Sequence, residues 1–454
     1  MRGIFFRTNM ISKIIVVAVA IASMAWGRVQ LMTKDSTIDL GISGAGWLQN
    51  GQVVDGYSLL TQEIYHQWEE QSFLNLGVDA TISERLRIAV GLEGEMFLNV
   101  PKGGASSQQY YIWRFNSGFI VDKAYCSYLW GDTASPFLSV TFGRFPYKYN
   151  PDARNLGEYI FRSGTYPAYL INNFDQPFAR LTGLKLSSSL FGMLHQDLLL
   201  TSETDIPPYY DLSLSYIANC DVGKFLNVGA GVEFARLIPL DTLVKSTQTR
   251  YITGNDTNYY TFGGIKLMGR LAFDPKFFFP ASWSFFGKED LKIYGEGAIL
   301  GLKNYPANDS LNSKNATPNN MWGYDTLKNK IPVLIGFNVP TFKLLDVLAL
   351  EVEWYGCPYP DDYARELGKG NLASLPIPDF YDRGNYGYAI EDNWKWSVYA
   401  KKMFMHDHVG VIAQCARDHT RLESLLDEAK YDELEESLQE KRMWWWMMKI
   451  VAQF

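Results

Sequence analysis

Beyond its first 25 or so residues the sequence has no run of 18 uncharged apolar residues. That excludes a helical membrane protein, which needs about 20 such residues for each span. Basic charge is not in surplus either. Forty-two Lys and Arg stand against 49 Asp and Glu, a net charge of −7. Nothing basic is concentrated enough to track phosphates, so no nucleic-acid partner is expected. The 38 Gly and 19 Pro among 454 residues are too few for a collagenous or low-complexity chain. Only four cysteines occur. Cys126 and Cys415 fall inside strand patterns, while Cys220 and Cys357 fall in connections on opposite ends, so free thiols are expected. Walker, dinucleotide-binding and zinc signatures are all missing. Neither enzymatic activity nor a cofactor or metal is expected. His406, Asp407 and His408 are adjacent and cannot all reach one ion, so they read as a solvated turn. His195 and Asp197 share one strand face, but the sequence places no serine beside them.

The N-terminus carries Arg2, Arg7 and Lys13, then an uncharged run over 14–22, then small residues at Ser23, Ala25 and Gly27. This is the layout of a cleaved signal peptide over 1–27. Its removal takes three positive charges and leaves a mature chain, 28–454, at −10. The protein is then exported and acidic.

From there on the dominant period is two. Leu74, Leu76, Val78, Ala80 and Ile82 alternate with Asn75, Gly77, Asp79 and Thr81. After the link 83–85, Leu86, Ile88, Val90 and Leu92 alternate with Arg87, Ala89, Gly91 and Glu93. That is a hairpin with one apolar and one ionised face. The pattern recurs and predicts sixteen strands: 38–46, 74–82, 86–96, 120–130, 137–144, 178–186, 191–201, 210–218, 226–237, 264–273, 291–302, 331–339, 347–355, 394–402, 409–415 and 443–454. Connections alternate between long (47–73, 97–119, 145–177, 238–263, 303–330, 356–393, 416–442, with a short one at 202–209) and short (83–85, 131–136, 187–190, 219–225, 340–346, 403–408, with a longer one at 274–290). Such alternation marks an all-β transmembrane antiparallel up-and-down β-barrel in a bacterial outer membrane, with long extracellular loops and short periplasmic turns. Trp47, Trp130, Trp354, Trp394, Trp396 and Trp444 read as its interfacial girdle, against membrane lipid.

An ionised group facing lipid at mid-bilayer costs about 2–4 kcal/mol for Arg or Lys, so charged strand residues should face the lumen. This assigns Asp39, Asp79, Glu93, Glu95, Asp197, Asp211, Glu233, Glu296, Glu351 and Glu353 to the inside, with Arg87, Lys123, Lys185, Lys266, Arg270, Lys292, Lys395, Lys401 and Lys449. So much interior charge points to a water-filled lumen. Arg180 and Gln196 fall on the lipid face in this register.

Within 145–177, Asn150 and Pro151 read as a helix cap and first turn, with Asp152 at the positive end of the dipole. Arg154, Glu158 and Arg162 then stack at i, i+4 and i+8 on one face, and Lys148 lies just upstream. Thr420 to Glu423 reads as a capping box. It opens an amphipathic helix with Leu422, Leu425, Leu426, Ala429 and Leu438 on its apolar side, an anionic cover over the mouth.

Two resemblances follow. The alternating last strand, ending on Phe454, resembles the recognition signal of outer-membrane barrels, which implies insertion by the barrel-assembly machinery. The 145–177 loop follows the fifth strand, as does the inward-folded constriction loop of sixteen-stranded porins, so the chain resembles trimeric porins, though their acidic loop pattern is absent. The resemblance implies passive diffusion of small hydrophilic solutes, homotrimer formation, and a lumen lined by Lys148, Asp152, Arg154, Glu158 and Arg162 against the wall charges. The alternative is a non-conducting surface barrel. Its aromatic loops (Tyr251, Tyr259, Tyr260, Trp322, Tyr359, Tyr363, Tyr381, Tyr386) would bind an extracellular polysaccharide.

Overall fold

A computed structural model describes residues 29–32, 37–58, 62–100, 113–133, 136–161, 179–202, 204, 210–238, 249–253, 256–260, 264–280, 283–304, 331–356, 393–420, 436–438 and 440–453. The signal segment 1–27, Arg162, Cys357, Phe454, the 421–435 stretch and most of the aromatic loops lie outside these residues.

Among the described residues there are nineteen strands: β1 (Val29–Met32), β2 (Thr37–Ser58), β3 (Gln62–Ile82), β4 (Leu86–Val100), β5 (Trp113–Gly131), β6 (Pro136–Tyr147), β7 (Ala179–Leu190), β8 (Leu194–Ser202), β9 (Leu212–Val222), β10 (Leu226–Ile238), β11 (Thr249–Thr253), β12 (Asp256–Tyr260), β13 (Gly264–Phe273), β14 (Ile293–Asn304), β15 (Val333–Asn338), β16 (Val347–Trp354), β17 (Trp394–Phe404), β18 (Val409–Arg417) and β19 (Trp444–Gln453). Each wall strand pairs antiparallel with its neighbours in sequence. β9 joins β10, and β19 returns to β2, with Trp446 opposite Gln52 and Ile450 opposite Leu48. The result is a closed sixteen-stranded antiparallel barrel, with β11 and β12 forming a separate hairpin between β10 and β13. β1 adds four residues to the edge of β2 beyond the end of β19, Val29 opposite Leu40.

The alternation of side chains places one set of residues outside and the other inside. Outside, Ile42, Leu76, Val78, Val90, Leu271, Leu350 and Val352 are all exposed, and Ile335 reaches 62 %. A wall this apolar is not a surface for bulk water. On the same face, Trp68 meets Trp446 edge-on at 5.6 Å and Tyr128 meets Trp130 at 4.5 Å.

The sixteen wall strands agree with the sequence in number and order, and the disagreements are local. The 47–73 stretch is not a loop: β2 and β3 run on as one unbroken ladder from Ile38 opposite Ile82 to Ser58 opposite Gln62. Its polar residues are strand residues beyond the apolar belt, which hydropathy alone reads as a loop. Trp47 is therefore no girdle residue. It is buried inside the barrel, stacked on Phe73 at 3.6 Å with the Lys449 ammonium 4.7 Å above its ring. Arg180, expected to face lipid, instead bridges the interior carboxylates Glu93 (2.6 Å) and Asp122 (2.9 Å). Gln196 does lie on the outer face, where the Tyr216 hydroxyl donates to its amide oxygen at 2.5 Å. Cys126, Cys220 and Cys415 are free thiols.

Candidate functional site

The connection after β6 does not cap the rim; it turns into the barrel. Tyr149, Ala153, Leu156, Tyr159 and Ile160 are buried against Leu199 of β8, Ile217 of β9, Met268 of β13, Ala298 and Leu300 of β14 and Leu334 of β15. The segment thus packs against one continuous arc of wall, from β8 round to β15.

Its conformation is not the expected helix. Residues 151–161 form turns and bends, with Gly157 at φ +91° and Glu158 at φ +61°. The reason lies in where the backbone amides go. In a helix they would meet carbonyls four residues back. Here wall carboxylates take them. Glu351 accepts from the amides of Arg154 (2.5 Å), Asn155 (2.7 Å) and Leu156 (2.9 Å). Glu296 accepts from those of Glu158 (3.1 Å) and Tyr159 (3.0 Å), and also from the Tyr149 hydroxyl (2.5 Å) and the Asn150 side-chain amide (2.7 Å). Charge-assisted bonds of this kind are about twice as strong as neutral ones, so two carboxylates outcompete one short helical turn. Glu158 turns back to accept from the Asn150 amide at 2.5 Å. Between the two carboxylates, Gly157 passes so close to the wall that a Cβ would meet a Leu334 methyl at 2.8 Å.

The predicted ladder of Arg154, Glu158 and Arg162 therefore does not form. Arg154 pairs with Glu289 at 3.2 Å, and Arg162 lies outside the described residues. Lys148 donates to the Ala153 carbonyl at 2.7 Å, closing the turn from within. Asp152 and Glu289 share the Lys292 ammonium, at 3.3 and 2.9 Å. Lys266 joins Glu233 (3.2 Å) to the Ile160 carbonyl (2.8 Å). Arg270 is held by Asn219 at 2.8 Å and by Asn227. Lys185 lies 5.5 and 5.7 Å over the Phe145 and Tyr147 rings. The ladder pairs Glu95 with Phe73 of β3 and Asn116 of β5.

Other functional groups escaped the sequence reading. Tyr159 donates to Glu353 at 2.7 Å, and Tyr294 to Glu351 at 2.8 Å. Tyr294 shares its strand face with Glu296, so alternation alone could have found it. Burial and the Glu296 carboxylate push the Tyr149 phenol well above its usual range, which keeps it a donor. Asp122 was hidden by a β-bulge: Gly91 faces Lys123 but Leu92 faces Val121, so both Asp122 and Lys123 turn inward.

A second inward element comes from the far end of the chain. Glu436, Ser437 and Leu438 are buried, and Leu438 packs with Trp47, Val53, Met443 and Trp445. Asp418, just past β18, accepts from Asn155 (2.8 Å) and Trp445 (3.1 Å), and the Ser437 amide donates to the nearby Thr420 carbonyl (2.9 Å), so both inward elements meet the end of β18. The expected helix over 420–438 lies mostly outside the described residues. Of this stretch, Thr420 and residues 436–438 are described, and they are buried. Many of the described interior charges thus meet partner side chains or loop backbone. Among the described residues no group of three metal-ligating side chains converges. His195 lies 3.4 Å from Asp221, and Asp197 accepts from Tyr147 at 2.8 Å.

The fit of Tyr294 gives a test. Gly336 faces its ring so closely that a Cβ would lie 2.1 Å from a ring carbon. Gly336→Ala is expected to push Tyr294 off Glu351 and to cost about 1–3 kcal/mol of overpacking. A lower guanidinium midpoint with an unchanged m-value would show it.

No protein-family model and no curated protein matches this chain. Among solved structures, a mutant of the Rh. blastica porin is similar over 91 % of this chain and all of its own, at 9 % identity and a TM-score of 0.43. OmpF of Salmonella typhi, solved in complex with daunomycin, is similar over 94 % of this chain and all of its own, at 12 % identity and a TM-score of 0.45.

Proposed function

We propose that this barrel lies in the outer membrane of a Gram-negative-type bacterium and passes small hydrophilic solutes by passive diffusion, narrowed by 148–161 within the longer 145–177 connection. The exposed apolar outer face supports the membrane setting, since its strands would otherwise hold their side chains in water. The observation that carries the channel reading is the attachment of the inward segment. Glu296 and Glu351 hold its backbone from one side of the wall. A segment gripped through its amides and packed against one arc of the wall narrows a passage without filling the barrel's whole section. Lys148, Asp152, Arg154 and Glu158 bring both signs of charge to the narrowest level, so the passage suits polar solutes without a strong preference for one sign. Export through the 1–27 signal, recognition of Phe454 by the assembly machinery and assembly into a homotrimer belong to the same reading.

A second reading has one observation behind it. Leu438, Met443 and Trp445 bring an apolar cluster into the lumen, which suits a closed barrel that displays its loops. Proteoliposome swelling separates the two. Small sugars are expected to enter and larger ones to be retained. No swelling from protein that still shows heat-modifiable mobility would overturn the channel and leave the surface barrel.

A further inference from the structure

The two inward elements are joined by a chain of buried polar groups centred on one histidine. Tyr159, on the first element, donates to one oxygen of Glu353 in β16 at 2.7 Å. The other Glu353 oxygen lies 2.5 Å from Nε2 of His419, just past β18. Across the ring, Nδ1 is 3.4 Å from Glu436 of the second element, which in turn pairs with Lys395 of β17. Tyr355 lies over the ring at 4.3 Å and fixes its plane.

Two observations set the charge of that ring. A carboxylate only accepts hydrogen bonds, so a ring with a carboxylate at each nitrogen needs a proton on both. The charge count agrees. Among the described residues, the ionised groups in and beside the chain are Glu353, Lys395, Arg417, Asp418 and Glu436, each 1 % exposed or less. Three carboxylates against two cations leave −1 beside a neutral ring and zero beside an imidazolium. A buried charge left uncompensated is strongly destabilising. Arg417 is committed to the Trp394 and Glu440 carbonyls, and Asp418 to Asn155 and Trp445, so neither takes the place of the ring.

We propose that His419, as an imidazolium, latches the first inward element to the second, and that loss of its proton widens the passage. With the proton gone, one ring nitrogen presents a lone pair to a carboxylate and the cluster holds −1. Lys395 stays on Glu436, so the strain falls on Glu353, whose ion pair was with His419. Water drawn in to solvate that carboxylate separates Tyr159 from the end of β18. A proton held between two carboxylates stabilises the docked state only while it is bound. The latch therefore holds on the acid side and opens on the alkaline side. The widening rests on the channel reading; the charge of the ring does not.

Single-channel conductance of the full chain tests the latch between about pH 6 and about pH 9, a range that brackets an ordinary histidine and stays below Lys and Tyr. Native conductance is expected to rise several-fold across it. His419→Gln, with heat-modifiable mobility retained, should conduct at the higher level throughout. A native conductance that ignores pH, or a pH step that survives in His419→Gln, would overturn the proposal. The ring is also read directly by nitrogen NMR, in a chain whose other four histidines, none of them buried, are replaced by glutamine. At pH 7, where an ordinary ring is mostly neutral, both ring nitrogens are expected to carry protons. A neutral tautomer there would overturn the proposal whatever the conductance. No conductance at any pH, with the imidazolium present, would overturn the channel and the widening while leaving the two elements latched.

Discussion

Replacing Glu351 with alanine is expected to raise single-channel conductance several-fold while leaving the barrel closed. Glu351 accepts four hydrogen bonds, three from consecutive backbone amides of the inward segment and one from Tyr294. Bonds to a charged acceptor contribute about 1.5–3 kcal/mol each. Their loss exceeds what Asn155–Asp418 and Tyr159–Glu353 can hold in place around residues 154–156. The wall does not depend on Glu351 in this way, because its ladder is backbone to backbone from β15 through β17. Glu296 still grips residues 158 and 159, so the single variant should free one half of the segment, and Glu296→Ala added to it the whole. Conductance in planar bilayers should therefore rise in two steps, with heat-modifiable mobility retained throughout. Conductance unchanged in both variants would mean that 148–161 does not set the width of the passage.

The contrast between wall and interior explains what the sequence could reveal. A strand repeats its environment every second residue, so one apolar face and one polar face write themselves into the sequence wherever the barrel crosses an apolar belt. Beyond that belt the outer face turns polar and the inner face of β2 mixes Gln49 with Trp47 and Val53, so the alternation disappears and the upper halves of β2 and β3 read as a loop although their ladder keeps one register. Arg180 and Asp122 broke the pattern for different reasons. Arg180 is long enough to reach Glu93 near the end of its strand, and Asp122 sits at a bulge, where the face assignment slips by one residue.

The interior segment was harder. Asn150, Pro151 and Asp152 carry sound local signals for a helix, and in isolation they would start one. The acceptors that override them are Glu296 and Glu351, more than a hundred residues away in sequence. No local pattern contains a partner that only barrel closure brings near. The sequence located the segment and most of its wall partners, yet the geometry that joins them arises from the fold.

Lys395 supplies the second large effect. Its ammonium and the Glu436 carboxylate, both fully buried, form a direct ion pair, and Lys395 also lies 3.4 Å from the Leu438 carbonyl. His419 sits between Glu353, at 2.5 Å, and Glu436, at 3.4 Å. Burial pushes the Glu436 carboxyl up, but Lys395 and His419 together outweigh it and hold the group well below the usual carboxylate range. A carboxyl depressed in the folded state adds stability above its unfolded value of 4.5, and that stability is lost only as pH falls below it. In the native protein 436–438 should therefore stay docked from neutral pH to about pH 5, where an ordinary carboxyl begins to protonate. Lys395→Met removes the larger of the two attractions on a buried carboxylate and leaves that of His419. Breaking a buried pair in this way costs about 3–5 kcal/mol, which at 1.4 kcal/mol per tenfold is a loss of about two to three and a half orders of magnitude in protection. Hydrogen exchange of 436–443, corrected for intrinsic rates, should show that loss at pH 7. The sign of the pH response should also invert. Acidification undocks the native element, whereas in the variant it neutralises Glu436 and restores part of the protection between pH 7 and pH 5. Equal protection in the two proteins at pH 7 would show that Lys395 does not hold this element in the barrel.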